Sequence, residues 1–149
     1  MVKAIDLSEG MLAQARQKIQ SLKVSFEQAD ILKAWSFADG RKYDLVVFSL
    51  VLEHIRDLNA IFAKLTHVVA ENGWIYIGEL HPFKQYQGTK ARYQTSEGTN
   101  TLTCIDHHIS DFTTAAVNNG FSIIEFNEFF DDLGQETIPR ILVMVFQKK

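Results

Sequence analysis

Apolar positions along this chain follow two alternating rhythms. Short runs, alternating or continuous, mark strands; longer stretches with apolar residues three and four apart mark helices. Val2–Asp6 (VKAID) reads as a short buried strand that ends in an aspartate. Leu7–Gln20 reads as a helix, with Ser8 as N-cap and Met11, Leu12, Ala15 and Ile19 at helical spacing. Lys23–Gln28 (KVSFEQ) alternates as a strand and is closed by Ala29-Asp30-Ile31. Ala34–Phe37 reads as one turn of helix before a loop at Asp39-Gly40. Tyr43–Leu50 (YDLVVFSL) is almost continuously apolar, the pattern of a strand covered on both faces. Asp57–Ala70 carries Leu58, Ile61, Phe62, Leu65 and Val69 on one helical face. Gly73 is expected to end that helix in a left-handed turn, before the buried strand Trp74–Leu80 (WIYIGEL).

Strands alternating with helices predict an α/β fold with a mostly parallel, doubly wound sheet and right-handed crossovers. The stretch His81–Ile105 interrupts the rhythm and reads as a lid, a binding loop or a disordered segment, with Phe83, Tyr86 and Tyr93 lining a pocket or packing the loop down. Ile109–Asn119 resumes as a helix stopped at Asn119-Gly120. Phe121–Phe130 and Ile138–Gln147, separated by Asp131–Pro139, read as an antiparallel pair at the sheet edge. Phe126, Phe129 and Phe130 are expected in the core. No repeat and no boundary divides residues 1–149, so a single domain is expected.

Charge and cysteine usage narrow the function classes. The formal charge is −3 and no Lys/Arg cluster occurs, which speaks against a nucleic-acid partner. The single Cys104 permits no intrachain disulfide and argues against a cysteine-based zinc site. No apolar run is long enough for a membrane span, and a cytoplasmic location is the default expectation.

The chemistry begins at the first strand. A carboxylate delivered to a strand tip just before a helix is how dinucleotide-type folds hold a ribose by its two hydroxyls. Asp6 is so placed, although an aspartate there also caps the helix that follows. Asp30 repeats the arrangement after the second strand, with capping of a short helix from Ile31 as the alternative, and Asp44, at the start of a buried strand, reads as structural. Glu53-His54 is the most suggestive pair: His54 is a candidate general base, and a plain surface turn is the alternative. Adjacent His107-His108, without a third ligand at metal spacing, read with His81 as acceptor-pocket candidates.

AIDLSEGMLAQAR, QADI, YDLVVFSLVLEHI, ENGWIYIGE, the long loop, a helix ending NNGF and two final strands together resemble class I S-adenosylmethionine-dependent methyltransferases. The similarity is greatest to the small-molecule group that includes the ubiquinone and menaquinone enzymes. It implies a Rossmann-like sheet ordered 3-2-1-4-5-7-6 with an antiparallel last strand. It also implies S-adenosylmethionine as cofactor and a small-molecule methyl acceptor. By resemblance, Asp6 binds the ribose while Leu7 and Ser8 line the adenine. Asp30 accepts from the adenine amino group, Ile31 packs on the ring, and Phe48, Ser49 and Leu50 meet the methionine end. Some members with a VLEH-like segment hold a metal with two glutamates and the histidine; Leu50 stands where the first glutamate would, so no metal is expected.

The family's glycine-rich first motif has no counterpart in this sequence. The expectation is an N-terminally incomplete domain without the first strand and helix, binding cofactor weakly, if at all, by itself, with methyl transfer expected in a completed chain. Val2–Asp6 and Tyr43–Leu50 would then keep unpaired edges, which favours a homo-oligomer joined through them. An acceptor is expected beneath His81–Ile105, beside His54. The rival readings are a non-catalytic remnant or assembly module of the same fold, and a nicotinamide-dependent oxidoreductase.

Overall fold

A computed structural model describes residues 1–88, 92–95, 98–101, 104–131 and 138–149, with backbone alone for 92–95 and 98–101. The chain divides into two compact units, Met1–Arg41 and Lys42–Lys149.

The first unit is a βαβ element. β1 (Val2–Asp6) and β2 (Val24–Gln28) run parallel, with Asp6 opposite Gln28, joined by α1 (Glu9–Lys18). Ser8 is the N-cap, its hydroxyl accepting the Met11 N–H at 3.3 Å. The helix is shorter than its sequence pattern because Ile19 is already extended, its N–H closing the last turn on the Ala15 carbonyl. Past β2 the chain makes a 3-10 turn at Ser36–Ala38. Lys3 ties this return to the sheet, donating to Glu27 and to the Phe37 carbonyl, each at 2.7 Å. Leu12 and Ala38 are the buried apolar side chains among this unit's described residues.

The second unit is built on a four-stranded sheet of order β3-β4-β8-β7. β3 (Tyr43–Ser49) is parallel to β4 (Val69–Leu80), whereas β8 (Ile141–Lys148) is antiparallel to both β4 and β7 (Phe121–Phe129). Each unit reproduces its own part of the expected order, β2-β1 in the first and β3-β4-β8-β7 in the second. Among the described residues β1 pairs only with β2, and β3 only with β4.

Helices α2 (Leu58–Val68) and α4 (Ile109–Asn118) supply the packing. Asp57 caps α2 by accepting the Ala60 N–H at 2.9 Å. Phe62 of α2 meets Phe121 and Phe146 edge-on, at centroid distances of 5.9 and 5.6 Å, and Ile75, Ile77 and Met144 are fully buried. α4 stops at Asn119, and Gly120 takes φ +80, a backbone state with no steric cost for glycine.

Four expectations change. The left-handed residue after α2 is Asn72 (φ 59), not Gly73. Gly73 is needed for a different reason: a Cβ there would lie 2.8 Å from the Ala70 carbonyl oxygen. β3 is covered on one face only. Leu45 and Val47 are half-exposed, and the residues beside them in register are Trp74 and Tyr76, which are also partly exposed. Phe126, Phe129 and Phe130 are exposed, because β7 is the edge strand and only Phe121 reaches the aromatic core. The stretch 81–105 is not a plain loop: it holds α3 (Pro82–Tyr86) and a hairpin of β5 (Arg92–Thr95) and β6 (Gly98–Thr101).

Candidate functional site

Two strand tips in the first unit carry the first group of candidates. Asp6 ends β1 and Asp30 lies two residues past the end of β2, so both acids reach the same edge of a parallel pair. Adjacent strands lie only about 4.8 Å apart. The tips are stitched together: the Ala29 N–H donates to the Asp6 carbonyl at 3.1 Å, and Gln28 Nε2 donates to the Leu7 carbonyl at 2.9 Å. Each carboxylate steadies its own turn through one oxygen. Asp6 Oδ1 accepts the Ser8 N–H at 2.7 Å, and Asp30 Oδ1 accepts the Leu32 N–H at 2.9 Å. Leu7 and Ser8 are exposed beside Asp6, while Ile31 is partly buried. Helix capping and ligand binding are therefore compatible at Asp6, with Oδ1 engaged in the turn.

In the second unit the candidates gather where β3 ends. Phe48 is buried, Ser49 is exposed and Leu50 takes φ 53, its N–H donating to the Gly78 carbonyl at 2.8 Å. Such a conformation is costly for a branched side chain and marks an over-determined turn. What determines it is Glu79, a carboxylate near the end of β4. Glu79 Oε1 accepts the Val51 and Leu52 N–H groups at 3.1 and 3.0 Å, and Oε2 accepts that of Glu53 at 3.2 Å. These donors open the 3-10 turn Leu52–His54. Burial pushes the Glu79 carboxyl above the ordinary carboxylate value; the three N–H donors pull it down, and the Glu53 charge adds to the rise.

Glu53 and His54 do not form the plain surface turn that the sequence left open. Glu53 is 4% exposed, and its Oε2 is buried without a hydrogen-bond partner. His54 is one-third exposed, with Nε2 3.7 Å from Glu53 Oε1. Ile105 donates its N–H to the Glu53 carbonyl at 2.8 Å, which brings Cys104 alongside. Donor atoms of Glu53, His54 and Cys104 lie within 4.8 Å of one another.

His81, His107 and His108 each make defined contacts. His81 is buried; its Nδ1 accepts the Phe83 N–H at 3.2 Å, so Nε2 carries the proton and faces Glu128 Oε1 at 3.0 Å. His107 is buried with Nε2 donating to the Ile55 carbonyl at 2.7 Å. Both secure the fold rather than face an acceptor. His108 caps α4 and pairs with the Tyr86 hydroxyl at 2.5 Å, and Phe83 and Tyr86 are half-exposed. Asp44 is exposed, and the Tyr93 side chain lies outside the described residues. Sequence reading missed Glu79 and Cys104. The first had a signal, a lone carboxylate in an otherwise apolar strand; the second, distant in sequence from Glu53, had none.

The sequence profile described as a methyltransferase domain matches residues 1–77, which reach from β1 into β4. The chain belongs to the methyltransferase domain family. No curated protein matches it. Among solved structures, it is similar to one assigned as an S-adenosylmethionine-dependent methyltransferase from Listeria monocytogenes. That match has a TM-score of 0.81 at 21% identity and covers 99% of this chain and 79% of the other. An S-adenosylmethionine-dependent methyltransferase from Mesorhizobium loti gives 0.73 at 19% identity, covering 98% of this chain and 80% of that one. Magnesium protoporphyrin IX methyltransferase from Synechocystis PCC 6803, with bound SAH, gives 0.67 at 19% identity, covering 100% and 64%. These likenesses establish a methyltransferase-type Rossmann-like fold. Neither the nicotinamide enzyme nor the remnant reading gains support from them. Among the described residues no helix is long and apolar enough to cross a membrane.

Proposed function

We propose that this methyltransferase-family chain takes part in methyl transfer from S-adenosylmethionine to a small-molecule acceptor, as one methyltransferase domain spanning residues 1–149. The observation that carries the reading is the pair of strand-tip acids, Asp6 and Asp30, on one parallel edge. That donor set fits an adenosine: a carboxylate for two ribose hydroxyls, a second for an exocyclic amine, and an aliphatic surface for the ring. Asp6 would hold the ribose, Leu7 and Ser8 the adenine surroundings, and Asp30 and Ile31 the adenine itself. At the tip of β3, Phe48, Ser49 and Leu50 are assigned to the methionine end.

S-adenosylmethionine, when bound, supplies a methyl group on a positively charged sulfur. The chain's own contribution is alignment, which by itself accounts for a large part of such a barrier. His54, partly exposed beside the end of β3, takes the acceptor's proton. Glu53 and Glu79 hold the turn that presents it. The VLEH-like segment Val51–His54 supports placement near the ubiquinone and menaquinone group. The cofactor named for the structural neighbours supports the same one here. An acceptor beside His54, near the 81–105 segment, and self-association through the open edges of β1 and β3 complete the reading.

Calorimetry with the demethylated cofactor is the deciding experiment. Binding that weakens when Asp6 is replaced by alanine supports the assignment; binding indifferent to Asp6 overturns it. In a chain with measurable turnover, His54→Ala is expected to lower it by roughly 10²–10⁴. Unchanged turnover would remove His54 from the reaction.

A further inference from the structure

We infer that Glu53, His54 and Cys104 form a binding site for one thiophilic divalent cation, with Zn2+ as the ion their donors suit. Three observations meet here. The donor atoms of the three side chains lie within 4.8 Å of one another. Glu53 is 4% exposed, and its carboxylate leaves Oε2 buried with no hydrogen-bond partner. A second buried acid, Glu79, stands behind the same turn and fixes it by accepting the Glu53 N–H at 3.2 Å. A buried carboxylate oxygen without a partner is expensive, and a cation removes that cost.

The donor types select the ion. Thiolate, imidazole and one carboxylate oxygen suit zinc and its neighbours, whereas Mg2+ and Ca2+ require several oxygens. Three protein ligands leave the fourth tetrahedral position open to water. Around Zn2+ the donors stand about 3.3–3.7 Å apart, from bond lengths of about 2.0–2.3 Å. Closing from 4.8 Å therefore asks for side-chain movement of about 1 Å by His54 and Cys104, both partly exposed. On binding, the Cys104 S–H bond breaks, a sulfur–metal bond forms, and the proton leaves to solvent.

The backbone already holds the ligands near these positions. Ile105 N–H bonds the Glu53 carbonyl at 2.8 Å, and His107 Nε2 bonds the Ile55 carbonyl at 2.7 Å. The ion would thus clip the segment that follows β6 to the turn that follows β3. The nitrogen of His54 that holds the ion cannot at the same time take a proton.

Titration of the full chain with Co2+, followed by absorption, tests the site without any reference to methyl transfer. The expected result is one equivalent of tetrahedral Co2+, with visible bands and a near-ultraviolet sulfur-to-cobalt band, both erased by Zn2+ and not by Mg2+. Cys104 is the chain's single cysteine, so the sulfur band reports on that residue alone. Cys104→Ser should abolish that band and weaken Zn2+ binding at least 100-fold, and His54→Gln should weaken it at least 10-fold. Glu53 is buried, so Glu53→Gln is read only if its circular dichroism matches the parent; Cys104→Ser, at a partly exposed position, decides between the outcomes in either case. Absence of a sulfur band, or Zn2+ affinity unchanged in Cys104→Ser, overturns the site. Either result leaves the methyl-transfer reading standing.

Discussion

The two units hold their candidate residues by different means. In the first, Asp6 and Asp30 sit on a two-stranded sheet and one helix, with Leu12 and Ala38 as the buried apolar side chains among its described residues. Within this unit, order comes from turns, the Ser8 cap and the Lys3 bridge. In the second, His54 and Glu53 stand on a turn anchored by Glu79 above a core that runs from Phe62 to Phe121 and Phe146. The strand-tip acids are placed by local hydrogen bonds. The turn beyond β3 is placed by a buried charge and a packed sheet.

If that contrast is right, core truncation in the second unit should have the largest effect of all. Phe62→Ala removes the ring that joins α2 to β7 and β8, and should cost about 3–5 kcal/mol. Leu12→Ala, under a helix with few buried partners, should fall at or below the low end of the usual range of about 2–5 kcal/mol. Denaturant unfolding of both variants checks the pair; equal costs would erase the distinction between the units.

Next in size is the effect of a strand-tip acid on cofactor affinity. Hydrogen bonds to charged groups contribute about 1.5–3 kcal/mol each, so Asp6→Ala should weaken binding by roughly 10–100-fold or more. Stability should fall far less, because the carboxylate makes one turn contact, to the Ser8 N–H. Calorimetry paired with thermal melts separates the two; a large loss of stability with unchanged affinity would return Asp6 to a capping role.

How much of this was legible in the sequence follows the same division. β1 and β7–β8 pairing, the caps at Ser8 and Asp57, and the stop at Gly120 are local events, and local patterns announce them. The strand-tip acids belong to the same class, since each is fixed by its own strand and turn. Coverage was less legible. Tyr43–Leu50 is apolar throughout, yet one face of β3 is half-exposed, because nothing in a strand says what lies over it. Phe126 and Phe129 failed for the same reason at an edge strand. The Glu53, His54 and Cys104 cluster was invisible, because it depends on a backbone bond between Ile105 and Glu53, far apart in sequence.

Glu79 offers a smaller and pH-dependent effect. Its carboxyl is held above the ordinary value in the folded chain, chiefly by burial. Between the unfolded and folded values the native state therefore binds more protons than the unfolded state, and stability declines as pH rises through that interval. Glu79→Gln keeps one acceptor oxygen and loses the other, leaving at least one of the Val51, Leu52 and Glu53 N–H groups unmatched at a cost of about 1–3 kcal/mol. That deficit should be largest at acid pH and shrink as pH rises, because only the parent carries the charge penalty. Urea midpoints of parent and variant, measured from acid to neutral pH, should converge. A gap that widens with pH would mean that the three N–H donors outweigh burial.

The smallest effect belongs to the cap of the first unit, and it is the finest probe of the contrast. The Ser8 hydroxyl accepts the Met11 N–H, and its own N–H meets Asp6, so one residue both starts α1 and orients the acid. Ser8→Ala removes the hydroxyl bond and keeps the N–H, at an expected cost of about 0.5–2 kcal/mol. In a unit held by turns and caps, that loss should appear as faster amide hydrogen exchange across α1 and β1, with β4 and β8 unaffected. If Asp6 holds the ribose as proposed, bound cofactor should restore the lost protection. Slowed or unchanged exchange in α1, or loss spread evenly through β4 and β8, would show that the two units do not differ in how they are held.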